Sequence, residues 1–282
     1  MFSSKKIKVE VQLVEGKEFS PNVNTLIFEN LPIEVNLNVV TLPSGGSAKV
    51  KIYGVSKDHL DMMTTIKWRK PFITQKAIMI YADDGDGYKL LFEGNIVDAL
   101  PRYESVPDVY IEISAIMGAY HNIREVPPFS RKGEVPTSDV FRDICADYGV
   151  GFMNHGVETM CKNPYFDQNG LSNRLTSASK AYNVYVIYNN NFVEIYPQYT
   201  GEAKKWNFIT QSYIGYPQIT STGIKINLDT VYAVGLRDYF NIKGSEVEPA
   251  NGDWKIIKYG YSISTKIGGK WFMTIEGVRV LL

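Results

Sequence analysis

Apolar and polar residues alternate one by one through both ends of this 282-residue chain. The alternation covers residues 7–15 and 47–55, and it returns in residues 253–282, DWKIIKYGYSISTKIGGKWFMTIEGVRVLL. Because successive side chains of a strand point to opposite faces of a sheet, this period indicates strands with one buried face. The 19 tyrosines and 13 phenylalanines suit half-buried strand positions. A mainly β fold is therefore expected.

The middle of the chain follows a helical period instead. Residues 137–149 carry apolar side chains at helical spacing, with a Thr or Ser as N-cap and Gly149 as C-cap. Residues 171–184 predict a second helix, and two strands around a turn at residues 189–191 follow it. These elements predict a small α/β unit.

Shorter signals complete the predicted architecture. A short helix capped by Ser56 interrupts the first strand-rich segment, and the closing hairpin turns at Gly268 and Gly269. The sequence thus predicts a mainly β fold with an α+β insertion. Two small β-barrel-like domains, residues 1–117 and 205–282, would flank a small α/β domain of residues 118–204.

Charge and hydropathy exclude several classes of protein. Thirty Lys and Arg residues balance thirty Asp and Glu residues, so no overall field attracts nucleic acid, and we expect no stable nucleic-acid binding. No apolar run approaches the roughly 18 residues of a membrane helix, and the first residues alternate and lack an apolar leader. We expect a protein made in the cytoplasm, without membrane insertion.

The acidic stretch DDGDG, residues 83–87, is the first candidate metal site. A calcium loop needs a late bidentate acid, but the position expected for it falls near Asn95, and Glu93 is out of register. An Asp-Gly pair between two apolar runs is more typical of a hairpin turn. The turn is therefore the favoured interpretation.

Histidines and cysteines offer a second set of candidates: His59, His121, His155, Cys145 and Cys161. None of them has the close paired spacing of a structural zinc site. Cys145 lies on the apolar face of a predicted helix, where a free cysteine is usually a small core residue. Two cysteines form no disulfide framework, so reduced thiols are expected.

No catalytic signature stands out. A nucleophile elbow, a phosphate loop and a dinucleotide fingerprint are all missing from the sequence. We therefore expect no catalytic, cofactor-binding or metal-binding residues, and no enzyme activity.

Five segments, in order, resemble the baseplate hub proteins of contractile-tailed phages, of the Mu type and the T-even type. That family is related to the hub part of type VI secretion spike proteins. The first segment is similar to the family's strand, Gly-x-Ser and short helix, and the last to its closing hairpin. The five are SAKVKIYGVSKDHLDMM, TSDVFRDICADYGVGF, GLSNRLTSASKAYNVYVIYNNNFVEIYP, YIGYPQITSTGIKINL and GDWKIIKYGYSISTKIGGKWFMTIEGVRV.

The resemblance covers nearly the whole chain and implies a function. It implies a homotrimer whose six barrels form a ring, which adapts the sixfold tail tube to the threefold spike and frames the DNA exit channel. The implied partners are the tail tube protein, the central spike protein and other baseplate proteins, in a virion assembled in the host cytoplasm. The chain stops at Leu282 without a lysozyme or spike domain, so a separate spike protein is expected.

Interfaces are expected among exposed aromatic residues and at two loops, LPSGG near Gly45 and GSEVEPANGD near Pro249. Both loops could equally be solvated turns. Three other functions stay open. They are a tail-tip protein of a non-contractile tail, a tail-associated cell-wall hydrolase, and a single-stranded nucleic-acid binder, which the neutral charge disfavours.

Overall fold

The computed structural model describes residues 5–12, 24–63, 77–103, 108–198, 204–208 and 213–280. The chain divides into two compact units. The first unit collects Met1–Val40, Gly46–Ile116 and Ala203–Leu282, and the second collects Thr41–Gly45 and Met117–Glu202. The mainly β fold with an α+β insertion is confirmed, and both strand-rich ends of the chain lie in the same unit. The finer division into barrels of residues 1–117 and 205–282 around residues 118–204 stays a prediction.

Among the described residues of the first unit strands dominate, with a short α-helix, α1 (Lys57–Met63), and a 3-10 turn at Glu248–Ala250. In chain order its strands before the insertion are β1 (Lys6–Gln12), β2 (Thr25–Phe28), β3 (Ile33–Val40), β4 (Gly46–Tyr53), β5 (Ala77–Asp83), β6 (Lys89–Arg102) and β7 (Tyr110–Ile116). After the insertion come β15 (Lys205–Trp206), β16 (Gln218–Thr220), β17 (Gly223–Leu228), β18 (Tyr239–Ile242), β19 (Gly252–Ser264) and β20 (Trp271–Arg279).

These strands form one sheet, in the order β16-β17-β20-β19-β3-β4-β7-β6-β5-β1-β2. In addition, β18 pairs with β19, and β15 pairs with β18. The closing hairpin, β19 and β20, therefore lies inside the sheet. β20 pairs with β17, and β19 pairs with β3 across the two ends of the chain. Both outer sides of the hairpin are thus covered by strands of the same chain, which removes an edge that would invite pairing with other molecules.

The register of the closing hairpin, which the sequence left open, is now defined. Ile263 lies opposite Trp271 and Tyr261 lies opposite Met273, and the register shifts between Ile256 and Lys258. The turn is at the predicted glycines, and Gly268 has a φ of 73°, a left-handed conformation that glycine adopts without a steric penalty.

The start of the turn is fastened to β3 by one residue. The Ile33 amide donates to Thr265 Oγ1 at 2.8 Å, and that hydroxyl donates to the Leu31 carbonyl at 2.9 Å. The Thr265 amide donates in turn to the Ile33 carbonyl at 2.9 Å. Thr265 therefore extends the β3–β19 pairing beyond its last ladder pair, Ser264 and Glu34.

The second unit is the α/β unit that the sequence predicted for the middle of the chain. Its helices are α2 (Ala119–Asn122), α3 (Thr137–Tyr148) and α4 (Leu171–Tyr182). Its strands are β8 (Phe129–Ser130), β9 (Glu134–Pro136), β10 (Gly151–Asn154), β11 (Met160–Lys162), β12 (Tyr165–Phe166), β13 (Val184–Asn189) and β14 (Phe192–Pro197). The strands β10-β14-β13 form a sheet, and β9 pairs with β11 and β8 with β12.

The ends of α3 agree only partly with the prediction. The predicted C-cap is confirmed, since Gly149 has a φ of 72° and its amide donates to the Ala146 carbonyl at 3.0 Å. The predicted Thr or Ser N-cap is wrong. Pro136 occupies the cap position and makes no side-chain cap bond, because the strand β9 runs directly into the helix. The Thr137 amide instead donates to the Thr159 carbonyl at 2.8 Å.

One arginine is fully buried in the second unit. Arg174 on α4 has 0% of its surface exposed, and its guanidinium donates to the carbonyls of Val126 (3.2 Å), Pro127 (3.1 Å) and Gln168 (3.2 Å). The same group lies over the Tyr148 ring, 5.4 Å from its centre. A buried cation is tolerated when its donors are satisfied in this way.

We predict that Arg174→Met destabilises the protein by about 2–4 kcal/mol, because three carbonyls lose their donor inside the protein. Urea unfolding followed by circular dichroism measures the change. The matched control is Arg142→Met, at an arginine whose side chain is 55% exposed, which should cost at most about 1 kcal/mol. Equal losses in the two variants would contradict a structural role for Arg174.

Candidate assembly surface

The acidic stretch at residues 83–87 is a hairpin turn, as favoured. Asp83 Oδ1 accepts hydrogen bonds from the amides of Gly85 (2.8 Å) and Gly87 (2.9 Å), and these bonds lower the pKa of Asp83. Asp84 Oδ2 accepts from the Val231 amide at 3.0 Å, and Asp84 Oδ1 accepts from Lys89 at 2.9 Å. The acids therefore hold the turn and fasten it to the segment after β17.

The three histidines and two cysteines do not come together. Within the described ranges, no group of three or more His, Cys, Asp or Glu residues is arranged to hold a metal ion. His59 packs edge-on against Phe28, at 6.4 Å between ring centres. His121 is buried beside Tyr188, with 3.0 Å between Nδ1 and the Tyr188 hydroxyl. Burial lowers the pKa of His121 most, and the nearby positive charge of Arg124 lowers it further.

His155 has its own partners. Its Nε2 lies 2.9 Å from Glu194 Oε2, and its ring stacks on Tyr196 at 4.2 Å. Both cysteines are buried. Burial raises the pKa of Cys145 to about 12, so that its thiol is a poor nucleophile at neutral pH.

The two loops predicted as interfaces are held in place by different contacts. In the LPSGG loop, Leu42 is partly buried and packs against the core of the second unit, to which Thr41–Gly45 belongs. In the other loop, the Asn251 side chain accepts from the Ser245 amide at 2.9 Å and donates to the Ser245 carbonyl at 3.0 Å. Each loop is thus fixed by specific contacts. Their role as interfaces stays a prediction.

A surface that the sequence analysis did not single out is the polar face of the large sheet. Neighbouring strands place mainly polar residues opposite one another in successive rows across β17, β20, β19, β3, β4 and β7, with Gly260 and the exposed Phe272 among them. The rows are Lys225–Glu276–Lys258, Asn227–Thr274–Gly260–Asn38–Ser47, Phe272–Ser262–Asn36–Lys49–Ser114 and Ser264–Glu34–Lys51–Glu112. We call these residues the polar face. In the sequence, this face corresponds to the polar residues of the alternating segments. The sequence does not show which strands pair or in which register, and the pairing is what places these residues in rows.

Hydrogen bonds along the rows link neighbouring strands. Ser262 Oγ donates to Asn36 Oδ1 at 2.8 Å, and Thr274 Oγ1 donates to Asn227 Oδ1 at 2.9 Å. Lys258 Nζ lies 2.7 Å from Glu276 Oε1. These side chains therefore satisfy one another. Acidic and basic groups also occur side by side in the rows, so that the face carries no strong charge of either sign.

Glu112 is the clearest electrostatic element of the polar face. Its Oε1 lies 3.4 Å from Lys49 Nζ and 3.3 Å from Arg102 Nη2. Burial alone would raise the pKa of Glu112, but the hydrogen bonds from Arg102 and Lys49 outweigh it, and the pKa is lowered from its usual 4.5. The charged form of Glu112 thus stabilises the folded protein.

We predict a pH-dependent loss of stability in Glu112→Gln. A lowered pKa contributes stability that is fully present above the usual value of 4.5 and is lost as the pH falls through the lowered value. The difference in unfolding free energy between wild type and variant should therefore shrink as urea unfolding is repeated from about pH 7 to about pH 3. The exposed Glu158, changed to Gln, is the control. If the difference in unfolding free energy between wild type and Glu112→Gln stayed constant with pH, the stabilising role of the charged Glu112 would be contradicted.

Comparison with known proteins gives matches at the level of structure. Neither a protein-family model nor a curated protein matches the sequence. The 43 kDa tail protein of prophage MuSo2 from Shewanella oneidensis is 10% identical, with a TM-score of 0.63 over 98% of this chain and 97% of that one. A tail protein from Neisseria meningitidis MC58 is 7% identical, with a TM-score of 0.64 over 96% of each chain.

A third similar structure comes from a secretion system. It is an E. coli component of the type VI secretion system, which is structurally similar to bacteriophage T4 tail proteins. It is 7% identical to this chain, with a TM-score of 0.60 over 89% of this chain and 74% of that one. The chain therefore has the fold that these phage tail and type VI secretion proteins share.

Proposed function

We propose that this protein is a structural component of a phage tail, the central hub of the baseplate, and that it works without enzyme activity. The observation that carries the proposal is the extent of the structural likeness. Two tail proteins, one of them from a prophage, match 98% and 96% of this chain, and the match covers 97% and 96% of their own lengths. Nearly the whole chain, including the inserted α/β unit, thus shares the fold of these two tail proteins.

The proposed hub is a homotrimer in the virion, assembled in the host cytoplasm. Two similar barrel-like domains in each of three copies would give six similar elements, and this number would suit an adaptor between a sixfold tail tube and a threefold spike. The tail tube protein, the spike protein and other baseplate proteins are the proposed partners.

The polar face suits the wall of a DNA channel. Phosphates bind where Lys and Arg side chains are free to neutralise them. On this face Lys258 pairs with Glu276 and Lys49 pairs with Glu112, and Lys225 and Lys51 lie opposite the same two carboxylates in the rows. The central rows consist mainly of Asn, Ser and Thr. Such a wall stays hydrated and holds DNA weakly, and DNA can therefore slide along it.

The mass of the purified protein in solution tests the homotrimer. Light scattering behind a sizing column should give about three times the 31.9 kDa of one chain. A mass of one chain at every concentration tested would contradict the homotrimer.

Labelling of engineered cysteines tests the channel wall in that trimer. Ser262→Cys, on the polar face, should react with a small maleimide but only slowly with a bulky polyethylene-glycol maleimide. Ser221→Cys, in the exposed turn after β16, is the matched control and should react with both. The native cysteines are buried and give little background. Equal access of the bulky reagent to both variants of the trimer would contradict the channel position.

A further inference from the structure

A cavity of about 410 Å³ opens in the first unit beside the edge strand β16. Its aromatic side is made by Phe208, Tyr213 and Tyr216. Its polar side is lined by Asn207, Asn241, Lys243, Ser245 and Glu246. The volume lies within the range of about 300–1,000 Å³ that is usual for small-molecule sites. The loop around Pro249, which the sequence analysis predicted as an interface, begins at this polar side.

The polar side of the cavity is held rigidly. Asn251 makes reciprocal hydrogen bonds with the Ser245 main chain, at 2.9 and 3.0 Å. Asn241 donates to Asp253 Oδ1 at 2.7 Å, and Trp254 Nε1 donates to the Ala250 carbonyl at 2.8 Å. A surface loop with this many specific bonds presents its polar groups in fixed positions, which lowers the entropic cost of binding a ligand.

The aromatic side combines a buried floor with an exposed ring. Phe208 is 7% exposed, whereas Tyr216 is 64% exposed. Interaction with Glu246 raises the pKa of the Tyr216 hydroxyl. Burial raises the pKa of Tyr213 to about 12. Both hydroxyls therefore stay protonated at neutral pH and can donate hydrogen bonds to a ligand.

The composition of the lining limits the class of ligand. Lys243 and Glu246 are the two charged side chains among the described lining residues, and their charges oppose each other. A phosphate or nucleotide would find one ammonium group and an opposing carboxylate, which is poor electrostatic complementarity. A wholly apolar ligand would cover the amides of Asn207 and Asn241 without offering them hydrogen bonds, at a cost in desolvation.

We propose that this cavity binds a neutral saccharide. A sugar ring offers an apolar C–H face, which stacks on an exposed ring such as Tyr216. Its hydroxyls both donate and accept, and they match the amides of Asn207 and Asn241 and the carboxylate of Glu246. This binding role goes beyond the proposed assembly of the hub.

Saturation-transfer NMR with the full-length protein tests the proposal. The probes are glucose, galactose, N-acetylglucosamine and their β-1,4-linked disaccharides, each at up to roughly 10 mM, a range that captures weak single-site binding. At least one neutral sugar should bind. Tyr216→Ala should weaken that binding at least about 10-fold, and Tyr216→Phe, which keeps the ring, should weaken it less than about 3-fold.

Tyr165→Ala is the matched control. Tyr165 is 59% exposed and does not line the cavity, so this variant should bind as wild type does. Binding by no neutral sugar would overturn the proposal. A loss in Tyr165→Ala equal to that in Tyr216→Ala, or preferential binding of sugar phosphates, would also overturn it. Circular dichroism of each variant confirms that a loss of binding is not a loss of fold.

Discussion

The pairing of β3 with β19 is the contact on which the first unit depends. Seven pairs, from Lys258 opposite Val40 to Ser264 opposite Glu34, join strands from the two ends of the chain. This pairing makes one sheet of the strands before and after the inserted unit. The Thr265 hydroxyl adds hydrogen bonds to the Leu31 carbonyl and the Ile33 amide, two residues that precede the first β3 residue paired with β19. Contacts this distant in sequence close a very long loop, which lowers the conformational entropy of the chain. Burial of apolar side chains on one face of the sheet must offset this loss.

The same pairing creates both faces of the sheet at once. Val35, Leu37 and Ile263 are nearly fully buried on one side, while Asn36, Asn38 and Ser262 lie in rows on the other. Because the side-chain period of a strand is two, a shift of one residue would exchange these faces. The core and the polar face are therefore fixed by one register, and a change that moved β19 against β3 would disturb both.

Much of the local structure was predictable because it depends on residues close in sequence. The helix end at Gly149, the turn at Gly268 and the turn at residues 83–87 each follow from the conformational needs of a few neighbours. The Pro136 cap was missed because a pairing of β9 with β11 sets the entry to α3. The polar face was missed for a similar reason. Alternation shows which residues point the same way but not which strands are neighbours.

The discontinuous first unit has a consequence for synthesis on the ribosome. Asn36 of β3 and its partner Ser262 of β19 are 226 residues apart, and at about 5–20 residues per second the second strand is made roughly 10–45 s after the first. The inserted unit, Met117–Glu202, is complete well before that. During this interval β3 has β4 on one side and no partner on the other. The nascent chain therefore carries an open strand edge until residues 258–264 of β19 pair with β3.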